Sequence, residues 1–264
     1  MCGRFTLTVD PSTVQLQFAL DSVPSGLAPR YNIAPTQPVL ALTNEGTRDA
    51  TLLRWGLIPF WAKDEKIGYR MINARAETVA DKPAWRTAFR LRRCLIPADG
   101  FYEWRRTADG KQPYHIRMKD GGVFGLAGIW ERREAADGVL ESCSIIVTAA
   151  NDTIRPVHDR MPVVIEPSSF DLWLDSRHQK SPAIETLLAA QQRLAVGDPT
   201  DLEVTCHGQP AVPSHDPRGS FNLVAEIGGF QVAVPAFHHG HGAIEGRELL
   251  LLGLGVLCRH GLEV

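Results

Sequence analysis

The segment CLIPADGFYEWRRTADGKQPYHIRMKDGGVFGLAGIW, residues 94–130, holds four β-type runs in succession: Cys94–Pro97, Phe101–Arg105, Tyr114–Met118 and Val123–Trp130. Such runs, bounded by Gly, Pro, Asp or Ser, read as strands. No helical run separates them, so the βαβ alternation of a parallel sheet is missing. Five more runs extend the pattern outward: Val39–Thr43, Leu52–Leu57, Arg70–Asn73, Ser144–Thr148 and Met161–Ile165. Short helices are predicted around them. Asp10 caps one that starts at Pro11 and continues to about Leu20. A second lies between Asn73 and Cys94 with Pro83 near its start, a third runs from Pro167 through Leu174, and a fourth runs from Ser181-Pro182 to about Leu194. In the fourth, Ile184 stands where a capping box would need Glu or Gln, while Glu185 favours the positive end of the helix dipole. The Pro-, Gly- and Ser-rich stretch Val23 to Pro38 is read as ordered loop. The fold class expected is α+β: a mostly antiparallel β-sheet, curled or barrel-like, with peripheral short helices.

The chain has 264 residues, 44% of them hydrophobic and 22% charged, which is ample for a buried core and argues against disorder. A net charge of −2 excludes a wholesale polycation, so any nucleic-acid binding needs a local patch. Of the 28 basic residues, about 22 are Arg. Arg suits phosphate clamping, and a GC-rich genome gives the same bias. No apolar run approaches the roughly 20 residues of a spanning helix, and Met1-Cys2-Gly3-Arg4-Phe5 opens without a secretory signal. Five irregularly spaced Cys make neither a disulfide framework nor a zinc motif. A cytoplasmic monomer without membrane contact is expected. The Walker and dinucleotide glycine motifs are absent. From Thr205 on, Lys and Trp vanish and most of the His residues appear, and an apolar run, Leu249–Cys258, nears the end. Residues 1–204 are therefore read as one domain and 205–264 as a divergent tail, less regular than the rest. The cluster His238-His239-Gly240-His241 lacks Cys or carboxylate at ligand spacing. No metal and no cofactor is expected.

Cys2 is the residue with distinctive chemistry. Met before a small second residue is usually removed. Removal would leave Cys2 with an α-amine of pKa about 7.7–8.0 and a thiol of about 8.5 on adjacent carbons. Such a 1,2-aminothiol condenses with an aldehyde to an imine, and the thiol then closes a five-membered thiazolidine. The bland reading is a small, buried, inert Cys. Several polar groups sit in otherwise apolar stretches downstream: Asn73 and Arg75 in Met71–Thr78, Glu103 in Ile96–Trp104, His158 in Ile154–Pro162. A carboxylate flanked by aromatics is desolvated and its pKa rises toward the range useful for proton transfer. A His beside Arg and Asp is a second proton carrier. Each has a structural alternative: Glu103 pairing with Arg105 or Arg106, Asn73 satisfying a turn, His158 donating in the core.

These residues carry a resemblance. Met1–Phe5, Tyr31-Asn32-Ile33-Ala34-Pro35, Arg54–Trp61, Asn73–Thr78, Arg93–Trp104 and His158-Asp159-Arg160-Met161-Pro162 together resemble the SRAP family (SOS-response-associated peptidases), the abasic-site processing proteins. The resemblance covers roughly residues 1–200. It implies a partner, single-stranded DNA containing abasic sites, and a product, a thiazolidine DNA–protein crosslink. It further implies that Cys2 is the nucleophile, that Glu103 and His158 assist ring opening and proton transfer, and that Asn73 orients the lesion or the N-terminus. Arg4 and Arg75 would hold flanking phosphates. Asn32 and Pro35 would border the site, with Thr148 and Asn151 also lining it. A lyase branch from the imine, reversal of the crosslink and autopeptidase removal of Met1 belong to the same implication. Trp55, Phe60 and Trp61 are candidates to stack on bases; core packing is the better reading for Trp55 and surface exposure for Trp61. After about Val204 the chain departs from the family pattern, apart from an echo at Pro213-Ser214-His215-Asp216-Pro217. Two other classes stay open. One is an N-terminal-nucleophile amidotransferase acting on an amide. The other is a non-catalytic single-strand DNA-binding module in which Cys2 is incidental.

Overall fold

The computed structural model describes residues 2–108, 110–118, 121–135, 138–179, 181–190, 202–204, 209–215, 221–227 and 230–235. In chain order the elements are β1 (Arg4–Leu7), α1 (Pro11–Gln17), β2 (Arg30–Ile33), β3 (Pro38–Thr43), β4 (Ala50–Trp55), β5 (Asn73–Arg75), α2 (Arg86–Leu91), β6 (Arg93–Ala98), β7 (Gly100–Thr107), β8 (Gly110–Met118), β9 (Phe124–Ala135), β10 (Gly138–Ala149), β11 (Arg160–Pro162), β12 (Val164–Ile165), α3 (Phe170–Leu174), α4 (Pro182–Ala190), β13 (Leu202–Val204), β14 (Gln209–His215), β15 (Phe221–Ile227) and β16 (Phe230–Pro235).

Strand β10 closes a barrel. It pairs antiparallel with β9, from Gly138↔Ala135 to Ile145↔Gly128. On its other edge it lies parallel to β4 and then to β5. Antiparallel ladders link β4 to β3, β3 to β6 and β6 to β9, which completes the five-stranded ring. A second sheet runs in the order β13-β8-β7-β1-β2, and β14-β15-β16 form a third. The mostly antiparallel, curled α+β sheet expected from the sequence is the one observed.

Strand β6 is buried at every position and the middles of β3 and β10 are buried on both faces, which is why they read as continuous apolar runs. Side chains alternate across a strand. Val39 and Ala41, Cys94 and Ile96, and Ile145 and Val147 join Phe5, Ile33, Phe101 and Ile116 of the second sheet in one core. The residues between them, Leu40, Leu42, Leu95 and Ile146, join Val14, Phe18, Phe89, Phe170 and Trp173 in the other, under the helices. Fully burying each large aliphatic side chain contributes roughly 1.5–3 kcal/mol. Arg93 crosses the second core with no exposed surface. Its guanidinium donates to the carbonyls of Phe89, Trp173 and Asp175 at 3.0, 2.5 and 2.6 Å and lies 5.4 Å from the centre of a Trp173 ring, pinning the end of α3 to β6. Burial lowers its pKa to about 10 against the raising effect of Asp175.

Several boundaries differ from the sequence expectations. Helix α1 has its Asp10 cap, with the carboxylate accepting the Ser12 N–H at 2.8 Å, but ends at Gln17. The stretch read as loop contains β2, an edge strand in which Ile33 is the one buried residue. The run Arg70–Asn73 is split between a 3-10 turn, Glu65–Arg70, and β5. Strands β9 and β10 outrun their apolar segments because their ladder continues through charged pairs such as Arg132–Glu141. Helix α4 is capped by Ser181, whose Oγ accepts the Ile184 N–H at 3.4 Å. Residues 191–194, the apolar run Leu249–Cys258 and the His238–His241 cluster lie outside the described residues. Within the stretch expected to be less regular, 205–264, the described residues form β14, β15 and β16.

Candidate active site

The antiparallel register of β1 and β7, Arg4↔Tyr102 and Phe5↔Phe101, directs Cys2 and Glu103 toward the same end of the pair. Cys2 is fully buried in the first core. Asn73, at the start of β5, donates from Nδ2 to the carbonyl of Cys2 at 2.7 Å. Strand β5 is held in turn by its parallel pairing with β10, so the barrel sets the height of Asn73. Among the described residues Asn73 Oδ1 has no hydrogen-bond partner.

Glu103 is 1% exposed. His158 comes from the turn before β11, and its Nε2 stands 3.8 Å from Glu103 Oε2. The backbone N–H of Arg160 donates to His158 Nδ1 at 3.0 Å. An accepting Nδ1 leaves the neutral ring its proton on Nε2, the nitrogen that faces Glu103. Arg160 is itself tethered to Glu77 by an ion pair and to Ala149 through the β10–β11 ladder. Asp159 places Oδ1 3.1 Å from His158 Nδ1.

Burial pushes the Glu103 carboxyl up to about 7, and the negative charge of Asp159 adds to the effect. Burial lowers His158 from its ordinary 6.5, with Asp159 opposing and Arg106 reinforcing the change. The Cys2 thiol is pushed far above its ordinary value, first by burial and then by the Glu103 carboxylate. Glu103, His158 and Asp159 open onto a cleft of about 770 Å³ whose other walls include Trp104, Arg105, Arg106, Lys111 and Arg155.

A second polar network holds the strand that delivers Cys2. Asp99, at the junction of β6 and β7, accepts the Thr6 hydroxyl on Oδ1 at 2.5 Å and the Thr8 hydroxyl on Oδ2 at 2.6 Å. Its Oδ2 also accepts the Thr8 N–H. Thr6 Oγ1 lies 3.2 Å from His115 Nε2, and since its proton is directed to Asp99 the imidazole is the donor there. Burial lowers His115 to about 4, so the ring is neutral at pH 7. A Cβ on Gly100 would lie 2.2 Å from His115 Nε2, so only glycine leaves room for this contact.

The chain matches the family profile described as SOS response associated peptidase (SRAP) over residues 1–202. It belongs to the SRAP family. Abasic site processing protein YoaM of Bacillus subtilis (strain 168) is 45% identical over 193 residues, spanning 71% of this chain and 85% of that protein. Abasic site processing protein YedK of Escherichia coli (strain K12) is 32% identical over 190 residues, spanning 66% and 79%. A crystal structure of a protein from Bacteroides thetaiotaomicron superposes with a TM-score of 0.65 at 29% identity, covering 71% of this chain and 86% of that one.

In this SRAP chain Cys2, Asn73, Glu103 and His158 converge. The other site residues named from the sequence surround them or lie deeper. Arg4 is half-buried and donates to the Gly3 carbonyl at 2.8 Å. Arg75 and Asn32 are exposed and Pro35 is half-buried. Trp61 is 52% exposed beside Phe60 at 60%. Trp55 has no exposed surface; its Nε1 donates to the Ile72 carbonyl at 2.9 Å and its ring meets Phe5 edge-on. Thr148 and Asn151 are buried, and Asn151 Oδ1 accepts the Ile154 N–H at 3.0 Å, shaping the turn that leads to His158. Sequence reasoning missed two features, the Asp99 clamp and the Arg160 N–H that sets the His158 tautomer, while the Asp it noted beside His158 is the Asp159 carboxylate against the same ring. The spacing Thr6-x-Thr8 opposite a buried Asp was the available signal for the first. Among the described residues no group of His, Cys, Asp and Glu is arranged to hold a metal ion, and no helix is long and apolar enough to cross a membrane.

Proposed function

We propose that this chain recognises abasic sites in single-stranded DNA and captures them covalently through Cys2. One observation carries the reading: Asn73, Glu103 and His158, distant in sequence, are gathered around a buried second residue whose carbonyl Asn73 holds at 2.7 Å. Removal of Met1 frees the α-amine of Cys2. A ring-opened abasic deoxyribose presents an aldehyde at C1′. The amine nitrogen bonds to C1′ and the carbonyl oxygen leaves as water, which gives an imine. Sγ then bonds to the same carbon while the thiol proton passes to nitrogen, closing a thiazolidine. One water is lost and nothing is oxidised or reduced. With a pKa of about 7, Glu103 is present in both protonation states at neutral pH and serves as donor to the departing oxygen and acceptor from the thiol. His158, with Nε2–H toward Glu103, assists opening of the sugar ring. Asn73 fixes the backbone from which both nucleophiles project. Arg4 and Arg75 hold phosphates on either side of the lesion, with Asn32, Pro35, Trp61, Thr148 and Asn151 around the strand. The imine also permits a lyase branch, and the thiol an autopeptidase step that releases Met1. The chain acts as a cytoplasmic monomer, associated with the nucleoid when bound to DNA.

Intact mass spectrometry before and after incubation with a uracil-excised oligonucleotide tests the proposal. The expected result is a protein lacking Met1 and an adduct equal to protein plus oligonucleotide minus one water. Cys2→Ala is expected to bind the oligonucleotide reversibly and give no adduct. A chain without Met1 that forms no adduct, or an adduct that persists in Cys2→Ala, would refute it. Ammonia release from glutamine would support the amidotransferase reading instead.

A further inference from the structure

Arg106 in β7 stands directly opposite Lys111 in β8. Like charges at facing positions of an antiparallel pair repel and weaken the ladder. Both residues are exposed, and both line the cleft that ends at Glu103 and His158. Among the described residues no carboxylate forms an ion pair with either. Arg105 adds a third cation, its guanidinium 5.0 Å over the Tyr114 ring. Arg155 supplies a fourth from the turn before β11, where its partner Asp152 is 90% exposed and therefore well screened. Among the described residues the acidic groups lining the cleft are Glu103 and Asp159. In a chain of net charge −2 this is a local concentration of positive charge, built on a pairing that opposes folding. A bound polyanion would remove the repulsion. The cleft's size and its continuity with the proposed lesion site favour a chain of phosphodiesters over an isolated anion.

We propose that Arg105, Arg106, Lys111 and Arg155 form a phosphate-binding wall for the nucleic-acid strand, additional to Arg4 and Arg75. The inference rests on the preceding reading for the identity of the lesion, but binding of intact strands tests it separately.

The test compares wild type, Arg106→Ala/Lys111→Ala and the charge-preserving Arg106→Lys/Lys111→Arg. Dissociation constants for an intact single-stranded oligonucleotide are measured across a salt series. Each phosphate contact on a single strand contributes about 0.7 to the slope of log K against log salt, so losing two contacts flattens the slope by about 1.4 and weakens binding about 25-fold at about 0.1 M salt. The charge-preserving variant keeps the wild-type slope. The double alanine variant keeps or raises the thermal midpoint, because a repulsive pair is gone; a merely structural role would lower it. A wild-type slope and affinity in the double alanine variant, or equal losses in both variants, would overturn the wall. Adduct formation by wild type with an unchanged slope in the alanine variant sinks this inference alone. A charge-dependent slope without any adduct sinks the capture reading and leaves the wall standing.

Discussion

Replacing Glu103 by Gln is expected to stabilise the protein increasingly as pH rises, while removing its proton-transfer group. Glu103 is 1% exposed, and burial lifts its carboxyl from 4.5 to about 7. Each pH unit between those values is worth about 1.4 kcal/mol, so a charge at Glu103 costs the folded chain about 3 kcal/mol relative to the unfolded one. Below pH 4.5 the group is protonated in both states and the cost is absent. Between 4.5 and about 7 the unfolded chain ionises while the folded chain keeps its proton, so stability falls with rising pH; above about 7 the loss is complete. Gln carries no charge at any pH, so the variant loses this titration. Integrating the linkage relation from about pH 5 to about pH 8.5, the stability of the variant relative to wild type should rise by roughly 2 to 3 kcal/mol. For a chain of this size that is roughly 5–10 °C in thermal midpoint. Calorimetric melts at matched ionic strength measure it. A stability difference that is flat with pH, or that falls as pH rises, would refute the claim that burial governs this carboxyl. The same variant should form the abasic-site adduct more slowly than it loses affinity for DNA.

Three further substitutions probe the supports of the site. Asn73→Ala removes the donor to the Cys2 carbonyl and should slow single-turnover adduct formation at least tenfold, with little change in affinity for intact strands; equal rates would mean that the anchor is dispensable. Gly100→Ala drives a methyl group against His115 and Thr6 and should destabilise the fold by about 1–3 kcal/mol in denaturant titrations. Arg93→Met leaves the carbonyls of Phe89, Trp173 and Asp175 without their donor and should cost about 3 kcal/mol or more, while protein still folded keeps its wild-type rate of adduct formation.

The sequence disclosed those parts of the structure that obey local rules. Cys94–Pro97 and Ser144–Thr148 lie inside β6 and β10 because both faces of the barrel wall are buried there, and Phe101–Arg105 lies inside β7 of the second sheet, whose first residues are buried around Glu103. Strand β2 was hidden because an edge strand between prolines with one buried residue carries almost no periodic signal. Closure of the barrel depends on β10 lying parallel to β4, with Cys143 beside Trp55, and no local propensity specifies so distant a pairing. At the site, Asn73, Glu103 and His158 were legible as polar groups in apolar surroundings. Asp99 was not, since an Asp before Gly reads as a turn. Arg106 was read as a possible partner for Glu103, and only the strand register reveals that it faces Lys111.

The electrostatics of the cluster also fix the order of bond formation in the proposed capture. Burial and the Glu103 carboxylate both hold the Cys2 thiol in its neutral form, so a free thiolate is not the species that meets the aldehyde. The liberated α-amine, unlike the thiol, is a nucleophile in its neutral form and bonds first. Imine formation then changes the demand on the thiol. Its proton must leave only as sulfur closes on the electrophilic carbon, and an ionised Glu103, the group whose charge raised the thiol's pKa, is the base at hand. A lone buried thiol would be inert under these conditions. Set beside a carboxyl tuned to about 7, it is protected from oxidation and stray electrophiles until an imine is present. The cost of burying the thiol thus falls on non-productive reactions, and the productive one avoids it by proton transfer within the ring-closing step.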